Sequence, residues 1–162
     1  MIVADLPSGY LLARALSHRR GPVMVAALIG SGLQDFDILW FHFVDQTVHH
    51  HRFWPHIPAV WLVISVIALP LVWCVRKDWF VVSLAVLAGV WLHLILDTWA
   101  GDILWLWPFS DRFFSHFTVP ATPSFWGLSF VLHWTFLGEI AIILAAILVY
   151  FTPERPQPND PH

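Results

Sequence analysis

Two pairs of ionisable side chains interrupt apolar stretches of this sequence. His93 and Asp97 lie four residues apart within the run from Trp79 to Ala100, and Asp35 and Asp37 lie near the end of another run. Ionisable groups in membrane-length segments are costly unless they face a polar interior or a partner. Imidazoles and carboxylates are also common ligands of divalent metal ions. We therefore predict that these side chains converge around a divalent cation.

The spacing of His93 and Asp97 places both side chains on one face of a helix, because residues four apart are neighbours there. The two groups can then bind the same ion, or the carboxylate can orient the imidazole from behind. The alternative is a hydrogen bond between them that only ties helices together.

Asp35 and Asp37 point in different directions on a regular helix, so both reach one ion only if the backbone bends. Gly30 and Gly32 lie just before the pair and favour such a bend. The two carboxylates can instead divide the work, one as ligand and the other as a base. A third interpretation is an acidic pair that caps or lines a loop.

A histidine-rich segment follows the acidic pair. His49, His50 and His51 are consecutive, and His56 comes five residues after the last of them. Adjacent histidines cannot all face one ion, so we expect one or two of the four to ligate. The guanidinium of Arg52 can clamp a phosphate or carboxylate; the alternative is a surface charge among lipid headgroups.

The last apolar run contains His133 and Glu139, which lie six residues apart and do not share a helix face. Glu139 must meet a partner, carry a proton or face a cavity. At a rise of about 1.5 Å per residue, Asp35, His93 and His133 fall at a similar depth in their helices. This coincidence predicts a shared polar cavity.

The composition predicts an integral membrane protein. Of the 162 residues, 58% are hydrophobic and only 12% are charged. Three stretches approach or exceed the roughly 20 residues of a membrane-spanning helix, namely Ile57–Val75, Trp79–Ala100 and Phe125–Phe151. A fourth, Val23–Phe43, qualifies if its two acids are tolerated. We predict an all-α membrane helical bundle with about four spans.

The remaining segments complete one domain, predicted over residues 1–151. Residues 1–18 read as a short amphipathic N-terminal helix, followed by a turn at Arg19–Pro22. Residues 152–162 form a polar, Pro-rich tail. The Lys and Arg residues divide unequally between the two sides, with Arg14, Arg19, Arg20, Arg76, Lys77 and Arg155 on one and Arg52 and Arg112 on the other. The positive-inside rule then places the His-rich segment towards the outer face.

Several classes of function are disfavoured. The net charge of −3 offers no basic face for nucleic acid. Cys74 is the single cysteine, so neither a disulfide framework nor a thiolate cage forms. The sequence has no GxSxG elbow, P-loop or dinucleotide fingerprint. The oxygen and imidazole donors favour Zn²⁺ or Mn²⁺ over Mg²⁺ or Fe²⁺, and such an ion activates water as a nucleophile.

The motifs GLQDFDILWF, HHHRFWPHIP and HLILDTWAGDILWLWPFSDRF, taken in order, resemble the bacterial inner-membrane metal-dependent hydrolases of the YdjM-like family. The ending HWTFLGEI is similar to one subgroup, and the resemblance spans about Ile2 to Ile140. Residue by residue, it implies functional roles for Asp35, Asp37, His51, Arg52, His56, His93 and Asp97.

The sequence departs from the family pattern at five positions. Gln34 stands where Pro is usual, Phe53 replaces Gly, and Pro55 and Ile57 replace Thr and Ser. Asp5 occupies the position of a His in the subgroup, which predicts a changed metal preference or activity. The layout is also distantly similar to the zinc-dependent phospholipase C and single-strand nuclease superfamily, which implies phosphoester hydrolysis.

We therefore expect a membrane-bound hydrolase that uses metal-activated water on a phosphoester or lipid-linked substrate. The first-choice ligands are Asp35, His51, His56, His93 and Asp97. Asp5 and Asp37 are expected as ligands or base, and Arg52 as a substrate clamp. The alternatives are a non-catalytic membrane protein that carries or senses a divalent metal, and a bundle in which His–Asp pairs only join helices.

Overall fold

The computed structural model describes residues 3–17, 21–44, 50–120 and 126–152, and this part of the chain contains helices and no strands. Two short 3-10 turns, at His50–Arg52 and Trp54–His56, precede the fourth helix, and a third, at Lys77–Trp79, precedes the fifth. The α-helices are α1 (Asp5–Leu16), α2 (Pro22–Gly32), α3 (Phe36–Phe43), α4 (Pro58–Val75), α5 (Phe80–Ala100), α6 (Trp126–Val131) and α7 (Phe136–Phe151).

Three helical segments are long and apolar enough to cross a membrane: Pro22–Phe41, Pro58–Val75 and Lys77–Ala100. Helix α7 is apolar but shorter. Leucine, valine and isoleucine side chains on the outside of α4 are mostly exposed, as expected of a surface that faces lipid. The predicted all-α membrane bundle is confirmed.

The C-terminal apolar run differs from the single helix predicted over Phe125–Phe151. Helical structure stops after Val131 and resumes at Phe136. Between them the His133 ring nitrogen Nδ1 lies 2.9 Å from the hydroxyl of Thr135. Such local side-chain hydrogen bonds compete with the helical pattern. Residues 121–125 and the predicted tail from residue 153 onward lie outside the described residues, as does part of the turn after α1.

Helix α2 lies between α1 and α5, and small residues allow the close approach. A Cβ atom added at Gly30 of α2 would lie 2.0 Å from the Val86 carbonyl oxygen of α5. One added at Gly89 of α5 would lie 2.7 Å from the Ala27 oxygen. Small residues at such contacts let helix backbones pack closely in membranes. This packing fixes the register of α2 against α5.

The α-helical pattern of Val23–Phe43 is interrupted at Leu33–Asp35, where the backbone N–H groups of residues 36–38 bond to carbonyl oxygens three residues back. Gln34 in this break is fully buried. Its side-chain amide donates to the Val90 carbonyl oxygen of α5 at 3.0 Å. The break is therefore tied directly to the helix that carries His93.

The loop after α5 folds back against the end of that helix. Ile103 and Phe114 pair through an antiparallel bridge, and Ile103 is completely buried. The indole of Trp105 donates to the Thr98 hydroxyl at 2.8 Å. These contacts hold the residues just beyond Ala100 close to the last turn of α5.

Candidate metal centre

Five ionisable side chains from three separate segments meet at one place. His93 and Asp97 project from α5, Asp35 lies in the break between α2 and α3, and His51 and His56 lie in the 3-10 turns before α4. We call these five residues the candidate metal centre. Its two central members, His93 and Asp97, are almost wholly buried.

The donor atoms lie close together around one carboxylate oxygen. Asp97 Oδ2 is 3.2 Å from His93 Nε2, 3.3 Å from His56 Nε2 and 3.6 Å from His51 Nε2. The Nε2 atoms of His93 and His56 are 3.3 Å apart, and Asp35 Oδ1 lies 3.9 Å from His93 Nε2. Three imidazoles and two carboxylates thus direct atoms into one small volume.

Two of the imidazoles are oriented by backbone carbonyl groups. His93 Nδ1 lies 2.8 Å from the Ser31 carbonyl oxygen of α2, and His51 Nδ1 lies 2.8 Å from the Asp102 carbonyl oxygen. A carbonyl oxygen only accepts hydrogen bonds, so each Nδ1 carries the proton and donates it. In the neutral ring, Nε2 then presents a lone pair to the centre.

His56 is held in the same way by a carboxylate. Its Nδ1 donates to Asp37 Oδ2 at 2.5 Å, and both side chains are buried. The turn that carries His56 is anchored by Trp61, whose indole donates to the Pro55 carbonyl oxygen at 2.7 Å. Metal-binding histidines usually donate their second N–H to a carboxylate or carbonyl in this manner.

In the neutral rings, the histidine nitrogens that face the centre are acceptors, as is the carboxylate of Asp97. With every Nδ1 proton directed outward, the Nε2 lone pairs of His51, His56 and His93 converge on the negative charge of Asp97. Like groups this close in a buried site repel one another unless a cation lies between them. The residues present therefore fit a metal ion.

The spacing of these atoms also fits tetrahedral coordination. Zinc lies about 2.0–2.1 Å from nitrogen or oxygen ligands, and a regular tetrahedron of that size has edges of about 3.3–3.4 Å. The three nitrogen–oxygen distances at Asp97 Oδ2 run from 3.2 to 3.6 Å. The 3.3 Å between the Nε2 atoms of His93 and His56 falls in the same range.

Asp5 borders the centre from α1. Its side chain is buried, and neither carboxylate oxygen accepts a hydrogen bond. Its Oδ1 lies 3.3 Å from His93 Nδ1, and Asp5, His93 and Asp97 offer atoms within 4.8 Å of one another. Burial raises the pKa of the Asp5 carboxyl to about 7. A nearby cation would compensate this buried charge.

Glu139 holds the start of α1 from the opposite side. This completely buried residue of α7 accepts hydrogen bonds from the backbone N–H groups of Val3 and Ala4, at 2.7 and 3.0 Å. Both donors immediately precede Asp5. The partner that the sequence required for Glu139 is thus the N-terminus of α1, and this contact sets the position of Asp5.

Three further predicted residues stand apart from the central atoms. Asp37 contacts the outer nitrogen of His56 and belongs to none of the described groups with ligand spacing. Arg52 is exposed, with its guanidinium carbon 5.8 Å from the Phe113 ring centroid. His133 bonds to Thr135 and joins none of these groups either. His49 lies outside the described residues.

Other contributions to the site were not predicted from the sequence. The carbonyl groups of Ser31 and Asp102 orient two imidazoles, yet every residue type carries such a group, so no sequence signal marks them. Gln34 did carry a signal, as a polar residue at the end of an apolar run. Gly101 brings His51 close to α5, since an added Cβ would lie 3.0 Å from His51 Cε1.

These features define a helical membrane protein with a buried His–Asp centre. The chain belongs to the YdjM inner membrane protein family, whose sequence model matches residues 5–154. No curated protein and no solved structure matches the chain.

Proposed function

We propose that this protein is a membrane-bound, metal-dependent hydrolase that acts on a phosphoester, with a lipid or lipid-linked molecule as substrate. The observation that carries the proposal is the common orientation of His51, His56 and His93. Each donates its Nδ1–H outward and directs Nε2 towards Asp97. Three histidines oriented in this way from two segments suit ligation of one ion, since metal-binding histidines donate their second N–H to a carboxylate or carbonyl.

In this proposal, members of the candidate metal centre would hold the ion and leave one coordination position open for water, as in catalytic zinc sites. When bound, Zn²⁺ or Mn²⁺ supplies a Lewis acid and lowers the pKa of a coordinated water towards neutrality. Asp37 keeps His56 in the required tautomer, and Asp5 adds negative charge beside His93. The half-exposed carboxylate of Asp35 marks the side from which a substrate approaches.

Arg52 is the proposed clamp for the substrate phosphate. Its side chain is exposed and Arg52 comes directly after His51, which supports a role at the border of the centre. Its planar fork suits a phosphate group. The distant similarity to the zinc-dependent phospholipase C and single-strand nuclease superfamily supports a phosphoester over other esters.

The protein is proposed to lie in a bacterial inner membrane as a multi-pass protein. The excess of Lys and Arg on the other side of the bundle supports placing the metal centre towards the outer face. A lipid headgroup at that membrane surface is then the natural source of the phosphoester.

Metal analysis of the purified protein tests the proposal first. Wild type is expected to retain stoichiometric Zn²⁺ or Mn²⁺ and Asp97→Ala to lose it, while Asp111→Ala, at an exposed loop acid, retains it. Turnover is then assayed on phospholipid and lipid-diphosphate panels. Bound metal without any turnover would favour a carrier or sensor. Absence of metal, together with instability of His93→Ala, would favour a purely structural role.

A further inference from the structure

A groove between α1 and α2 opens beside the candidate metal centre. Its volume is about 320 Å³, and its walls include Leu6 of α1 and Leu28, Ile29 and Leu33 on or just after α2. The side chains of Leu6 and Ile29 are more than half exposed. The groove thus lies along a segment long and apolar enough to cross a membrane, and apolar side chains on its walls are exposed.

One wall residue of this groove is ionisable. Asp35 stands at the end next to Phe36, and its carboxylate lies 3.9 Å from His93 Nε2. The groove therefore changes from a hydrocarbon surface to the polar centre over a short distance. An amphiphile has the same order of groups, with an apolar chain followed by a polar head.

A larger cavity of about 410 Å³ lacks this arrangement. It lies on another face of α5 and is lined by residues such as Ile95, Thr98 and Trp105. Its Trp105 indole and Thr98 hydroxyl are bonded to each other. None of its lining residues belongs to the metal centre. Continuity with the centre therefore distinguishes the smaller groove.

We propose that this groove binds one acyl chain of a membrane phospholipid and so places the lipid's phosphoester at Asp35 and the metal centre. This inference rests on the proposed function and names its substrate class as a long-chain phospholipid. Access is lateral, from the bilayer, so the chain stays in an apolar environment while the head reaches the polar site. Phe36, which is exposed, lies at the junction between the two.

Gly32 controls the width of the groove. A Cβ atom added there would lie 3.4 Å from Leu6 Cδ2, an ordinary contact. Alanine should therefore be accommodated, and a leucine side chain should extend into the space of the acyl chain. Gly21 offers a matched control, because an added Cβ there meets nothing within 4 Å and its backbone is extended.

The first test does not require activity. The protein is reconstituted in vesicles of phosphatidylethanolamine and phosphatidylglycerol that contain a phospholipid with a diazirine in its acyl chain, and crosslinked peptides are mapped after irradiation. We expect crosslinks at Leu6 and Leu28 above those at Ile67, an exposed position on α4. In the Gly32→Leu variant, the crosslinking yield at Leu6 and Leu28 should fall to the yield measured at Ile67. In the Gly21→Leu variant, it should remain as in wild type. Equal labelling of groove and Ile67 in wild type would overturn the proposal.

The second test compares substrates with one headgroup and different chains. Gly32→Leu should lower kcat/KM for a long-chain phospholipid by about tenfold or more, the range expected for a blocked apolar subsite. The value for the water-soluble dihexanoyl analogue should stay unchanged. An equal loss on both substrates would contradict a chain-binding role. Groove crosslinking without turnover of either substrate would overturn the hydrolase and leave a lipid-binding groove.

Gly32→Ala and Ile29→Phe keep the inference testable if Gly32→Leu does not fold. Both substitutions should narrow the groove less than Gly32→Leu does, and neither replaces a residue of the metal centre. Retained metal in these variants, with groove crosslinking reduced in proportion to the added volume, supports the proposal. Unchanged crosslinking in both would argue against a chain in this groove.

Discussion

The nitrogen atoms of each histidine in the candidate metal centre have separate tasks. Nδ1 donates to a fixed oxygen, which sets the tautomer, and Nε2 faces the other ligands. His56 differs from the other two because its acceptor is the carboxylate of Asp37 and not a backbone carbonyl. A carboxylate also makes the imidazole more basic and so a stronger ligand. Asp37 is therefore the outer residue whose replacement should weaken metal binding most.

We predict that Asp37→Ala weakens zinc binding by about 10–100-fold, the usual effect of removing such a partner. Asp37→Asn should weaken binding less, since its amide oxygen still accepts the Nδ1–H of His56. Competition titration with a chromogenic chelator measures both affinities. Asp111→Ala removes an exposed loop carboxylate and serves as the control. Wild-type affinity in Asp37→Ala would mean that His56 does not ligate.

At the level of helices, the site depends on how closely α2 approaches α5. Ser31, which orients His93, follows Gly30 directly, and Gly30 contacts the backbone of α5 at Val86. Gly32 lies two residues further along α2 and meets only a flexible leucine side chain. The two glycines therefore differ sharply in the room that each leaves for a methyl group.

We predict that Gly30→Ala destabilises the protein by about 1–3 kcal/mol, as overpacking against a rigid neighbour does. It should also weaken metal binding, because separating α2 from α5 withdraws the Ser31 carbonyl from His93. Gly32→Ala should leave both properties close to wild type. Thermal unfolding in detergent, with and without added Zn²⁺, compares the two variants. Similar melting temperatures would contradict the close helix contact.

A second element-level contact joins α7 to the start of α1 through Glu139. We predict that Glu139→Ala costs about 1–3 kcal/mol, because two backbone N–H groups lose their acceptor and one of them, at Ala4, is fully buried. Glu139→Gln retains an acceptor oxygen and should recover most of the loss. Unfolding in detergent and zinc affinity are measured together, since Asp5 follows these donors. If Glu139→Ala and Glu139→Gln lost the same amount of stability, the effect would come from the negative charge and not from the hydrogen bonds.

The sequence predicted the helices well because membrane-length apolar runs have few alternatives to a helix. It favoured a bend near Asp35 and Asp37 as the condition for both acids to reach one ion; the α-helical pattern is interrupted there, and Asp37 contacts the outer nitrogen of His56. It did not predict the break before α7, because the prediction rested on hydrophobicity, which does not report the hydrogen bond between His133 and Thr135. The depth argument for His133 assumed one continuous helix, and the structure interrupts the helix at that residue.

For the whole molecule, the interior is small and the surface is largely apolar. Buried side chains cluster around α2 and α5, whereas α4 and α7 expose most of their leucine, isoleucine and valine residues. In a bilayer, such a bundle gains little from burying hydrocarbon and depends on close helix contacts and internal polar bonds. The buried His–Asp centre joins three segments and therefore contributes to structure as well as to the proposed chemistry.

The orientation of the whole molecule decides which side of the membrane meets the metal centre. Arg52 precedes α4 and Lys77 follows it, and this 18-residue helix spans about 27 Å at the usual rise per residue. We predict that, in a Cys74→Ala background, Arg52→Cys reacts with a membrane-impermeant maleimide in intact spheroplasts. Lys77→Cys should react only after permeabilisation, because the positive-inside rule predicts that the basic side faces the cytoplasm. A gel-shift assay measures the labelling of both variants, and the cysteine-free Cys74→Ala protein serves as the negative control. The reverse pattern would place the centre, and the lipid leaflet it draws on, at the cytoplasmic face.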